Sequence, residues 1–478
     1  MADLKFKTEA ITSRSEDFAQ WYTDVCKKAG LMDYSDVKGF IIYKPYGYAI
    51  WEQIQKYLDK EFKETGHQAV YMPLVIPESL FNKEKEHVEG FAPETLIATV
   101  GGNKNLDDKL IIRPTSEVLF TSFYSRLVNS YRDLPVLYYQ WCNVVRWEKT
   151  TRPFLRGSEF LWQEGHTIHA SEQEARKEAL KMLEVYDNLG RDVLAIPFLK
   201  GKKTEKEKFA GAEETYSIEA LMHDKKALQS GTTHYFGQGF TKAFNVKYLD
   251  SDGQIKNPYQ TSWGVSTRLI GSIIMVHGDD NGLVLPPYVA PIQVIIVPIK
   301  YQDENVRNAC NYLIKELKKF NIRVDIDTSD HTPGWKFNEY EMKGVPLRIE
   351  VGPRDLKDGK ITFVKRLNNE KNTAELEDFA LNVPTLLKEI HQEMYDKAKE
   401  FLLNSITEVK TYDELKKVVA SEGYAKVCWC GDEKCENKIK LDTNATSRCM
   451  PFEQELFSDT CPVCGKKAKY VVYFAKAY

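Results

Sequence analysis

The sequence has no apolar run long enough to cross a lipid bilayer. The longest one, around residues 289–299, is short and is interrupted by proline. Residues 1–20 are polar and charged and contain no apolar core of a signal peptide. Internal repeats and low-complexity tracts are also missing. We therefore expect a cytoplasmic globular protein with no secretory leader and no membrane contact.

Cysteine is scarce over most of the chain. Of the nine cysteines, three are isolated and six fall between residues 428 and 464. This clustering argues against a disulfide framework and favours a reduced protein with one metal site near the C-terminal end. The spacings C-x4-C and C-x2-C are typical of a structural zinc site, although buried thiols without metal are an alternative. The clustered residues are Cys428, Cys430, Cys435, Cys449, Cys461 and Cys464.

An excess of charge of one sign is missing as well. The chain has 66 Lys+Arg against 69 Asp+Glu, a net charge of −3, with 42% hydrophobic and 28% charged residues. This balance excludes a disordered chain and a polybasic protein that coats nucleic acid, but it leaves room for a local basic groove. No G-x-x-x-x-G-K-[ST] motif occurs, so we do not expect a P-loop NTPase.

The length of 478 residues suggests about three domains at roughly 150 residues each. Residues 1–287 mix amphipathic helices with alternating strands. Residues 288–400 alternate strand and helix, and residues 401–478 contain the cysteine cluster. The segment LPPY at residues 285–288 has the composition of a linker.

Periodicity predicts several elements within these regions. In the first region we predict a helix between residues 45 and 66, a helix that starts at a Ser171 cap and ends near residue 190, and strands at residues 136–148 and 159–169. The alternation in the second region predicts a small α/β domain with a mainly parallel sheet. Its predicted elements are strands at residues 292–297, 322–327, 347–351 and 360–366 and helices at residues 304–320 and 335–343.

Residues suited to chemistry concentrate on the two predicted strands of the first region. Arg146 and Glu148 are two apart and would project from the same face. The next strand would place Phe160, Trp162, Glu164 and His166 on one face. This pattern suggests a polar pocket with aromatic walls, where Arg146 and Arg156 hold a phosphate and Glu148 coordinates Mg²⁺ or an amine. A solvated hairpin with a surface Arg–Glu pair is the alternative.

Three further segments are less specific. RPTSE at residues 113–117 follows an apolar strand and matches an ordinary helix cap. LQSGTTH at residues 228–234 is small and polar and is predicted to follow a strand. A third strand is predicted to end at Gly264 and to lead into an apolar helix with Arg268 in its first turn. The helix dipole disfavours a cation there unless an anion is bound.

Together these segments resemble the three motifs of class II aminoacyl-tRNA synthetases. Motif 1 would be the helix after residue 45 and a strand ending at residues 71–73, motif 2 would run from Arg146 to Phe160, and motif 3 would be the strand–helix unit at residues 264–268. More closely, the chain resembles the prolyl-tRNA synthetases of the archaeal and eukaryotic type. The matching segments are RPTSE (113–117), QWCNVVRWE (140–148), FLWQEGH (160–166), KTEKEKFAG (203–211), GTTH (231–234), MVHGDDNGLVLPP (275–287) and GVPLRIEVGPRD (344–355).

The resemblance implies a fold and a reaction. The fold class would be α/β and α+β multidomain, with an antiparallel-sheet catalytic domain (residues 1–287), an α/β anticodon-binding domain (288–400) and a small zinc-binding α/β domain (401–478). The reaction would be ATP-dependent attachment of L-proline to tRNA(Pro) through a prolyl-adenylate. ATP would be a substrate, Mg²⁺ and a structural Zn²⁺ would be cofactors, and the expected assembly is a homodimer.

The resemblance also implies roles for individual residues. Arg146 and Arg268 match the catalytic arginines. The positions that match the proline site are Thr115, Glu117, Arg146, Trp162, Glu164, Phe209 and His234. The positions that match the ATP site are Arg146, Glu148, Arg156, Phe160, Gln229, Thr232, Ser266 and Arg268. The positions that match the zinc site are Cys430, Cys435, Cys461 and Cys464, with Cys430 favoured over Cys428 because it follows an aromatic residue.

The remaining expectations concern tRNA and fidelity. Glu341 and Arg348 are candidates for reading guanine bases of the anticodon, because carboxylate and guanidinium groups fit guanine edges. Residues 160–263 leave no room for the large editing insertion of bacterial-type relatives. Tyr478 ends an aromatic-rich strand, predicted at residues 470–474, and would either pack near the active site or fray.

Two other interpretations stay open. A class II synthetase for threonine or serine would share the fold, but the aromatic pocket and the RPTSE and FLWQEGH segments argue against it. A non-catalytic tRNA-binding relative would be expected to lose arginines of motifs 2 and 3, whereas Arg146, Arg156 and Arg268 are all present.

Overall fold

The computed structural model describes residues 11–87, 94–421 and 423–478. The helices of the first region are α1 (Phe18–Lys28), α2 (Pro45–Glu64), α3 (Glu78–His87), α4 (Glu117–Leu127), α5 (Glu172–Leu189), α6 (Gly239–Ala243) and α7 (Arg268–His277). Its strands are β1 (Met32–Tyr34), β2 (Ile41–Tyr43), β3 (Gln68–Ala69), β4 (Val75–Pro77), β5 (Ile97–Gly101), β6 (Lys104–Ile112), β7 (Val136–Val145), β8 (Glu159–His169), β9 (Leu199–Lys202), β10 (Glu214–Leu221), β11 (Ala227–Gly237), β12 (Tyr248–Leu249), β13 (Ile255–Lys256) and β14 (Tyr259–Ser266).

The main sheet of this region has the strand order β9-β10-β11-β14-β8-β7-β3. All neighbouring strands are antiparallel except β3 and β7, which run parallel. The expected antiparallel catalytic sheet is therefore confirmed. Helices α2 and α5 pack on it, and their apolar stripes form the main core together with Trp263 of β14. Each large side chain buried there contributes about 1.5–3 kcal/mol.

The two helices predicted in this region are both present. Helix α2 begins at Pro45, and its buried stripe includes Ile50, Ile54 and Leu58. The Ser171 hydroxyl accepts a hydrogen bond from the Glu174 amide at 3.2 Å and so caps the N-terminus of α5. A close contact also depends on glycine: a Cβ on Gly165 of β8 would lie 2.2 Å from the Trp263 ring. The core and the sheet therefore fit only with glycine at that position.

The strand predicted at residues 136–148 is shorter than expected. Strand β7 ends at Val145, because the chain then turns away from the ladder and the Trp147 amide donates to Glu94 O at 2.9 Å. Arg146 and Glu148 therefore follow the strand, and the expectation that they share one of its faces is wrong.

Three other boundaries also differ. The segment LQSGTTH lies inside β11 and does not follow a strand, and β14 continues past Gly264 to Ser266. The motif 1 strand is only β3, so residues 71–73 form a loop. The buried Arg113 guanidinium holds this loop by donating to Met72 O at 2.6 Å, a contact that depends on tertiary structure.

The second region contains a five-stranded sheet with order β16-β15-β17-β18-β19. The pairs of β15 with β16 and β17 are parallel, whereas β17–β18 and β18–β19 are antiparallel. The sheet is thus evenly mixed, and the prediction of a mainly parallel sheet is wrong because β17, β18 and β19 form a meander. The elements are β15 (Val294–Pro298), α8 (Glu304–Lys319), β16 (Val324–Ile326), α9 (Pro333–Met342), β17 (Leu347–Val351), α10 (Pro353–Leu356), β18 (Lys360–Lys365), β19 (Lys371–Glu375) and α11 (Leu376–Asn404).

The strands of the third region extend the main sheet of the first region. Its elements are β20 (Ile406–Val409), α12 (Tyr412–Ser421), β21 (Tyr424–Trp429), α13 (Glu433–Thr443), β22 (Thr446–Pro451) and β23 (Tyr470–Ala475). Strands β20, β21, β23 and β22 pair in that order, and β22 pairs with β9 through Met450–Lys202 and Pro451–Gly201. The result is one eleven-stranded sheet across two regions.

The segment 285–288 connects the first and second regions and is packed against both. Leu285 is buried in the catalytic core, and its amide donates to Gly344 O at 3.1 Å. Among the described residues, no helix combines the length and apolar character that a membrane crossing requires.

Candidate active site

A cavity of about 220 Å³ opens over strands β8, β11 and β14. The N-terminal ends of α4 and α7 also reach it. Of the residues that the sequence assigned to the proline and ATP sites, all but Glu148 and Arg156 line this cavity. The lining residues among them are Thr115, Glu117, Arg146, Phe160, Trp162, Glu164, Phe209, Gln229, Thr232, His234, Ser266 and Arg268.

Glu164 is the most fully hydrogen-bonded carboxylate in the cavity. Its Oε1 accepts from the Ser116 hydroxyl at 2.5 Å and from Gln140 Nε2 at 2.7 Å. Its Oε2 lies 2.8 Å from His166 Nε2 and accepts from the Ser116 amide at 3.2 Å. Although burial opposes ionisation, these donors lower the pKa of Glu164 below its usual value. The structure thus holds a buried negative charge in a fixed position.

Glu117 is the second carboxylate, and it is bound differently. It is the first residue of α4, where the helix dipole favours a negative charge. Its Oε2 accepts from the Thr115 hydroxyl at 2.5 Å, and its Oε1 accepts from the Ser262 hydroxyl at 3.2 Å. The cap residue Ser116 makes no side-chain bond to the helix, since its hydroxyl is committed to Glu164. The RPTSE segment is therefore more than an ordinary helix cap.

Aromatic rings and a neutral histidine form one wall of the cavity. The Phe209 ring lies 4.7 Å from the His234 ring, and His234 Nδ1 lies 2.9 Å from the Thr215 hydroxyl. Burial, with His166 and Arg146 nearby, lowers the pKa of His234 to about 3. The imidazole is therefore uncharged at neutral pH, so this wall is apolar and can contact a ring without desolvating a cation.

Arg146 enters the cavity from the point where β7 ends. Its Nε donates to Pro114 O at 3.0 Å, and its guanidinium lies 5.5 Å from the centre of the Phe160 ring and 5.4 Å from that of Trp162. Burial lowers the pKa of Arg146, while Glu117 and other carboxylates oppose this shift. No ion pair joins Arg146 to a carboxylate of the described residues, so its outer nitrogens can meet a ligand.

Arg268 is the first residue of α7, beside two carbonyl groups. Its Nε donates to Leu155 O at 3.0 Å and its Nη1 to Gln229 O at 3.1 Å. Burial and the neighbouring cations Arg146 and Arg156 lower the pKa of Arg268 to about 10. Within the described part of the chain Arg268 has no carboxylate partner. The partial positive charge of the helix N-terminus disfavours a cation there unless an anion is bound. The structure thus places two arginines without carboxylate partners among the described residues next to Glu117 and Glu164.

Two expected ATP contacts lie outside the cavity wall. Arg156 is exposed, and it lines a neighbouring cavity of about 490 Å³ that shares Phe160 with the first. Glu148 is half-buried and follows the end of β7. Both residues belong to the connection between β7 and β8, which lies next to the part of the cavity that contains Arg146 and Arg268.

Several residues of the site were not assigned from the sequence. Ser116 and Gln140 hold Glu164, Ser262 holds Glu117, and Thr215 holds His234. Gln140 lies directly opposite Glu164 across β7 and β8. The sequence contains the strands but not their register, so no local signal identified these partners.

The four predicted zinc ligands meet in the third region. The sulfurs of Cys430 and Cys435 are 3.7 Å apart, those of Cys430 and Cys464 are 3.6 Å apart, and all four lie within 4.8 Å of one another. Four sulfurs at about 2.3 Å from a tetrahedral Zn²⁺ would be roughly 3.8 Å apart, so the site fits that ion. Cys428 packs instead with Ala468 and Val471, outside the cluster.

The two anticodon candidates lie beside α9. Arg348 of β17 pairs with Glu350 at 3.0 Å, and its guanidinium lies 4.2 Å from the centre of the Phe337 ring. Glu341, one helical turn after Phe337, accepts from the Asn369 amide group at 3.1 Å. Their side chains therefore lie near the same helix, in the region that resembles an anticodon-binding domain.

Comparison with known proteins identifies similar chains over the full length. Residues 99–277 match the "tRNA synthetase class II core domain (G, H, P, S and T)", residues 293–386 the "Anticodon binding domain", and residues 412–478 "Prolyl-tRNA synthetase, C-terminal". The "Proline--tRNA ligase" of Clostridium novyi (strain NT) is 56% identical over 100% of both chains. The "Proline--tRNA ligase 2" of Bacillus thuringiensis subsp. konkukian is 55% identical over 99% of this chain and 100% of its own.

Two solved structures are similar to this one throughout. Both are prolyl-tRNA synthetase from Cryptosporidium parvum. The structure complexed with halofuginone and AMPPNP has a TM-score of 0.94 at 39% identity and covers 98% of this chain and 97% of its own. The structure complexed with L-proline and AMP has a TM-score of 0.93 at 38% identity, with the same coverage.

Proposed function

The chain belongs to the prolyl-tRNA synthetases, the class II enzymes that attach proline to tRNA(Pro), and from this membership we propose how its own residues carry out the reaction. The enzyme consumes L-proline, ATP and tRNA(Pro). In the first step, a carboxylate oxygen of proline attacks the α-phosphorus of ATP, a phosphorus–oxygen bond breaks, and pyrophosphate leaves. In the second, a hydroxyl of the tRNA 3′ end attacks the carbonyl carbon of prolyl-adenylate, and AMP leaves.

Glu117 binds the secondary ammonium group of proline, with Thr115 beside it. The unequal hydrogen bonding of the two carboxylates supports this role. Glu164 accepts from a backbone amide and a side-chain amide as well as from a hydroxyl. Among the described residues Glu117 accepts only from two hydroxyl groups, which can rotate. Glu164 has a different role: its negative charge sets the electrostatic potential of the pocket, and its hydrogen bonds orient Ser116, Gln140 and His166.

The proline ring lies between Trp162, Phe209 and His234. An apolar ring gains most from aromatic and uncharged walls, and the lowered pKa of His234 keeps that wall neutral. The cavity of about 220 Å³ suits a small amino acid joined to the α-phosphate of a nucleotide that extends outward.

Arg146 bridges the proline carboxylate and the α-phosphate, and Arg268 binds the nucleotide phosphates. Attack of a carboxylate on a phosphate brings two anions together, and the two arginines offset that repulsion and stabilise the transition state. Phe160 stacks on the adenine ring. The other ATP contacts are Glu148, Arg156, Gln229, Thr232 and Ser266. No side chain acts as a nucleophile, so positioning supplies much of the rate.

Glu148 provides a carboxylate for Mg²⁺ beside the phosphates. It forms no ion pair with the described residues, so its oxygens are free to act as ligands, and oxygen is the donor that Mg²⁺ prefers. When bound, this ion shields the charge of the departing pyrophosphate. Arg156, on the same connection, adds positive charge from the solvent side.

The cysteine cluster is a structural zinc site formed by Cys430, Cys435, Cys461 and Cys464. The sulfur spacing and the purely thiolate donor set support zinc over harder cations. Because the four positions come from two separate segments, residues 430–435 and 461–464, a bound ion would cross-link them and add to the stability of residues 401–478.

The remaining assignments concern assembly and tRNA. Residues 1–287, 288–400 and 401–478 form the catalytic, anticodon-binding and zinc-binding domains of a cytoplasmic homodimer. The exposed Tyr71 and Leu74 in the motif 1 loop, 68% and 39% accessible, support an interface there. Glu341 and Arg348 read the anticodon.

The observation that carries these assignments is that Glu117 and Glu164 meet two arginines in one small cavity with aromatic walls, and that these arginines have no carboxylate partner among the described residues. The experiment is amino-acid-dependent exchange of labelled pyrophosphate into ATP, with proline, threonine and serine as separate substrates. We expect exchange with proline and none above background with threonine or serine. Exchange with threonine or serine would indicate another specificity, and no exchange with any amino acid would indicate a non-catalytic relative.

A further inference from the structure

The segment 203–211, which we call the 203–211 loop, connects β9 to β10 and forms part of the cavity wall. Glu207 and Phe209 of this loop line the cavity. Both ends of the loop are tied to β10: the Lys203 amide donates to Thr215 O at 2.8 Å, and the Phe209 amide donates to the Thr215 hydroxyl at 2.9 Å. Between these ties the loop forms its own turn, in which the Glu207 and Lys208 amides donate to Thr204 O at 3.1 and 3.0 Å. Thr204 and Lys206 also make contacts outside the loop.

Those contacts come from the third region. The Thr204 hydroxyl donates to Glu436 Oε1 at 2.9 Å, and Lys206 Nζ donates to Asn437 Oδ1 at 2.5 Å. Glu436 and Asn437 directly follow Cys435 on α13. The sulfur cluster therefore fixes the start of the helix whose side chains hold the loop.

A buried ion network makes a second connection. Lys203 Nζ donates to Glu219 Oε1 at 2.7 Å and to Arg448 O at 2.6 Å. The Arg448 guanidinium donates to Glu219 Oε2 at 2.9 and 3.1 Å. Lys203 and Glu219 are only 3% and 0% exposed, and buried charges of this kind are stable only when every partner is present. Arg448 of β22 therefore determines where the loop begins.

We propose that Glu436, Asn437 and Arg448 are positioning residues for the amino-acid pocket. Through the 203–211 loop they hold Phe209 against the space that the proline ring fills. None of the three lines the 220 Å³ cavity. The inference rests on the role of Phe209 in the proline pocket given above, and it assigns the zinc-binding region a part in amino-acid specificity.

The nucleotide side of the cavity is held by other contacts. Arg268 is fixed by the carbonyl groups of Leu155 and Gln229, and Arg146 is fixed by Pro114 O. Loosening the 203–211 loop should therefore weaken proline binding and leave ATP binding intact. A purely structural role would lower both together.

The test compares Glu436→Ala and Asn437→Ala with the conservative Glu436→Gln in the full-length, zinc-loaded enzyme. Lys440→Ala is the matched control, because Lys440 is exposed on the same helix. Pyrophosphate exchange is measured against proline and ATP, together with zinc content and Tm. We expect Glu436→Ala to raise the KM for proline about ten-fold and Asn437→Ala a few-fold, with the KM for ATP unchanged.

Three further results are expected. Glu436→Gln should restore most of the proline affinity, since its amide oxygen still accepts the Thr204 hydroxyl. Both alanine variants should discriminate less between proline and alanine, and their zinc content should equal that of the parent. Thr204→Val combined with Glu436→Ala should be no worse than Glu436→Ala alone, because both changes remove the same bond.

Two outcomes would overturn the inference: an unchanged KM for proline in both alanine variants, or an equal loss for proline and ATP. Phe209→Ala separates this failure from failure of the proposed pocket. If Phe209→Ala leaves the KM for proline unchanged, the pocket assignment is wrong. If it raises that KM while Glu436→Ala and Asn437→Ala do not, only the positioning role is wrong.

Discussion

The Tyr478 hydroxyl donates a hydrogen bond to Asp224 Oδ2 at 2.5 Å, although the two residues are 254 positions apart in the sequence. The Tyr478 ring also lies 5.5 Å from the Arg152 guanidinium and 5.0 Å from Lys226 Nζ. Asp224 and Lys226 belong to the turn between β10 and β11, and Arg152 belongs to the connection between β7 and β8. Tyr478 thus packs against the first region and is not frayed, but none of these partners lines the 220 Å³ cavity. Packing near the active site stays a prediction.

Two substitutions at Tyr478 should distinguish the contribution of its hydroxyl group from that of its ring. Tyr478→Phe removes one hydrogen bond and should lower the free energy of unfolding by about 1 kcal/mol. Tyr478→Ala also removes the ring that the Arg152 guanidinium packs on. We expect the connection between β7 and β8 to become more mobile and pyrophosphate exchange to become slower. Urea unfolding and exchange kinetics measure the two effects. Equal exchange rates for Tyr478→Ala and the parent would show that this contact has no influence on the active site.

Arg146→Ala should remove most of the adenylation activity. Arg146 lies in the cavity and has no carboxylate partner in the described part of the chain, so it can stabilise developing charge. Loss of one such preorganised group costs on the order of 3 kcal/mol of transition-state stabilisation. Arg126→Ala, an exposed change on α4, is the control. Near-normal pyrophosphate exchange in a folded Arg146→Ala enzyme would show the assignment to be wrong.

Much of the fold could be predicted because its signals are local. The apolar stripe of α2, the Ser171 cap of α5 and the strand–helix alternation of the second region all depend on residues close in sequence. The end of β7 was missed because the contact between Trp147 and Glu94 that turns the chain joins distant segments. The mixed sheet of the second region was missed because strand direction depends on how β18 and β19 return.

The residues of the candidate site also fall into two groups, those with a local sequence signal and those without one. Arg146 and Glu164 stood out because predicted strands carried charge beside aromatic residues, and Arg268 stood out because a helix dipole disfavours a cation in the first turn. Thr115, Gln229 and Thr232 came only from the family resemblance. Thr115 and His166 each lie two residues from the carboxylate that they contact. Gln140 and Ser262, which also donate to these carboxylates, lie on other strands, so no short segment contains those partners. Register and tertiary contacts, not residue type, decide those pairs.

Replacement of Cys430 or Cys464 by serine should lower the zinc content from about one ion per chain and destabilise residues 401–478. Serine is a poor ligand for Zn²⁺, and the ion contributes directly to folding of the segments it joins. Elemental analysis and thermal unfolding measure both effects. Cys428→Ser is the matched control because Cys428 lies outside the cluster. Metal-free protein of full stability would show that the thiols are merely buried.

Stability should fall as the pH drops below about 6.5. Burial lowers the pKa of His234 and His277 to about 3 and that of His169 and His223 to about 4. The folded chain keeps these groups neutral, while the unfolded chain binds protons below pH 6.5. Their contribution is therefore present above pH 6.5 and is lost as the pH falls, by up to about 1.4 kcal/mol per group and pH unit.

Urea unfolding between pH 7.5 and 5 measures this slope. Burial lowers the pKa of His391 as well, so five groups contribute. The variant His223→Asn should reduce the slope by roughly a fifth, because one of them no longer titrates. A slope that is flat across this range would contradict the neutral state of the buried histidines.

The pocket should activate alanine to a detectable extent. Walls shaped for the proline ring exclude larger side chains by steric clash, but they reject smaller ones weakly, since each lost methylene is worth only about 1–3 kcal/mol. The described chain between Phe160 and Trp263 is accounted for by the elements β8 to β14, all of which belong to the catalytic region. We see no separate hydrolytic domain there.

We therefore expect alanine-dependent pyrophosphate exchange without hydrolysis of Ala-tRNA(Pro) by the same enzyme. Preformed Ala-tRNA(Pro) is incubated with the purified protein, and its loss is compared with the rate in buffer alone. Pro-tRNA(Pro) serves as the matched substrate control. Because we assign the 220 Å³ cavity to amino-acid activation, deacylation well above the spontaneous rate would require a second site elsewhere on the chain. Absence of alanine activation would mean that the aromatic walls close around smaller side chains more tightly than their fixed contacts suggest.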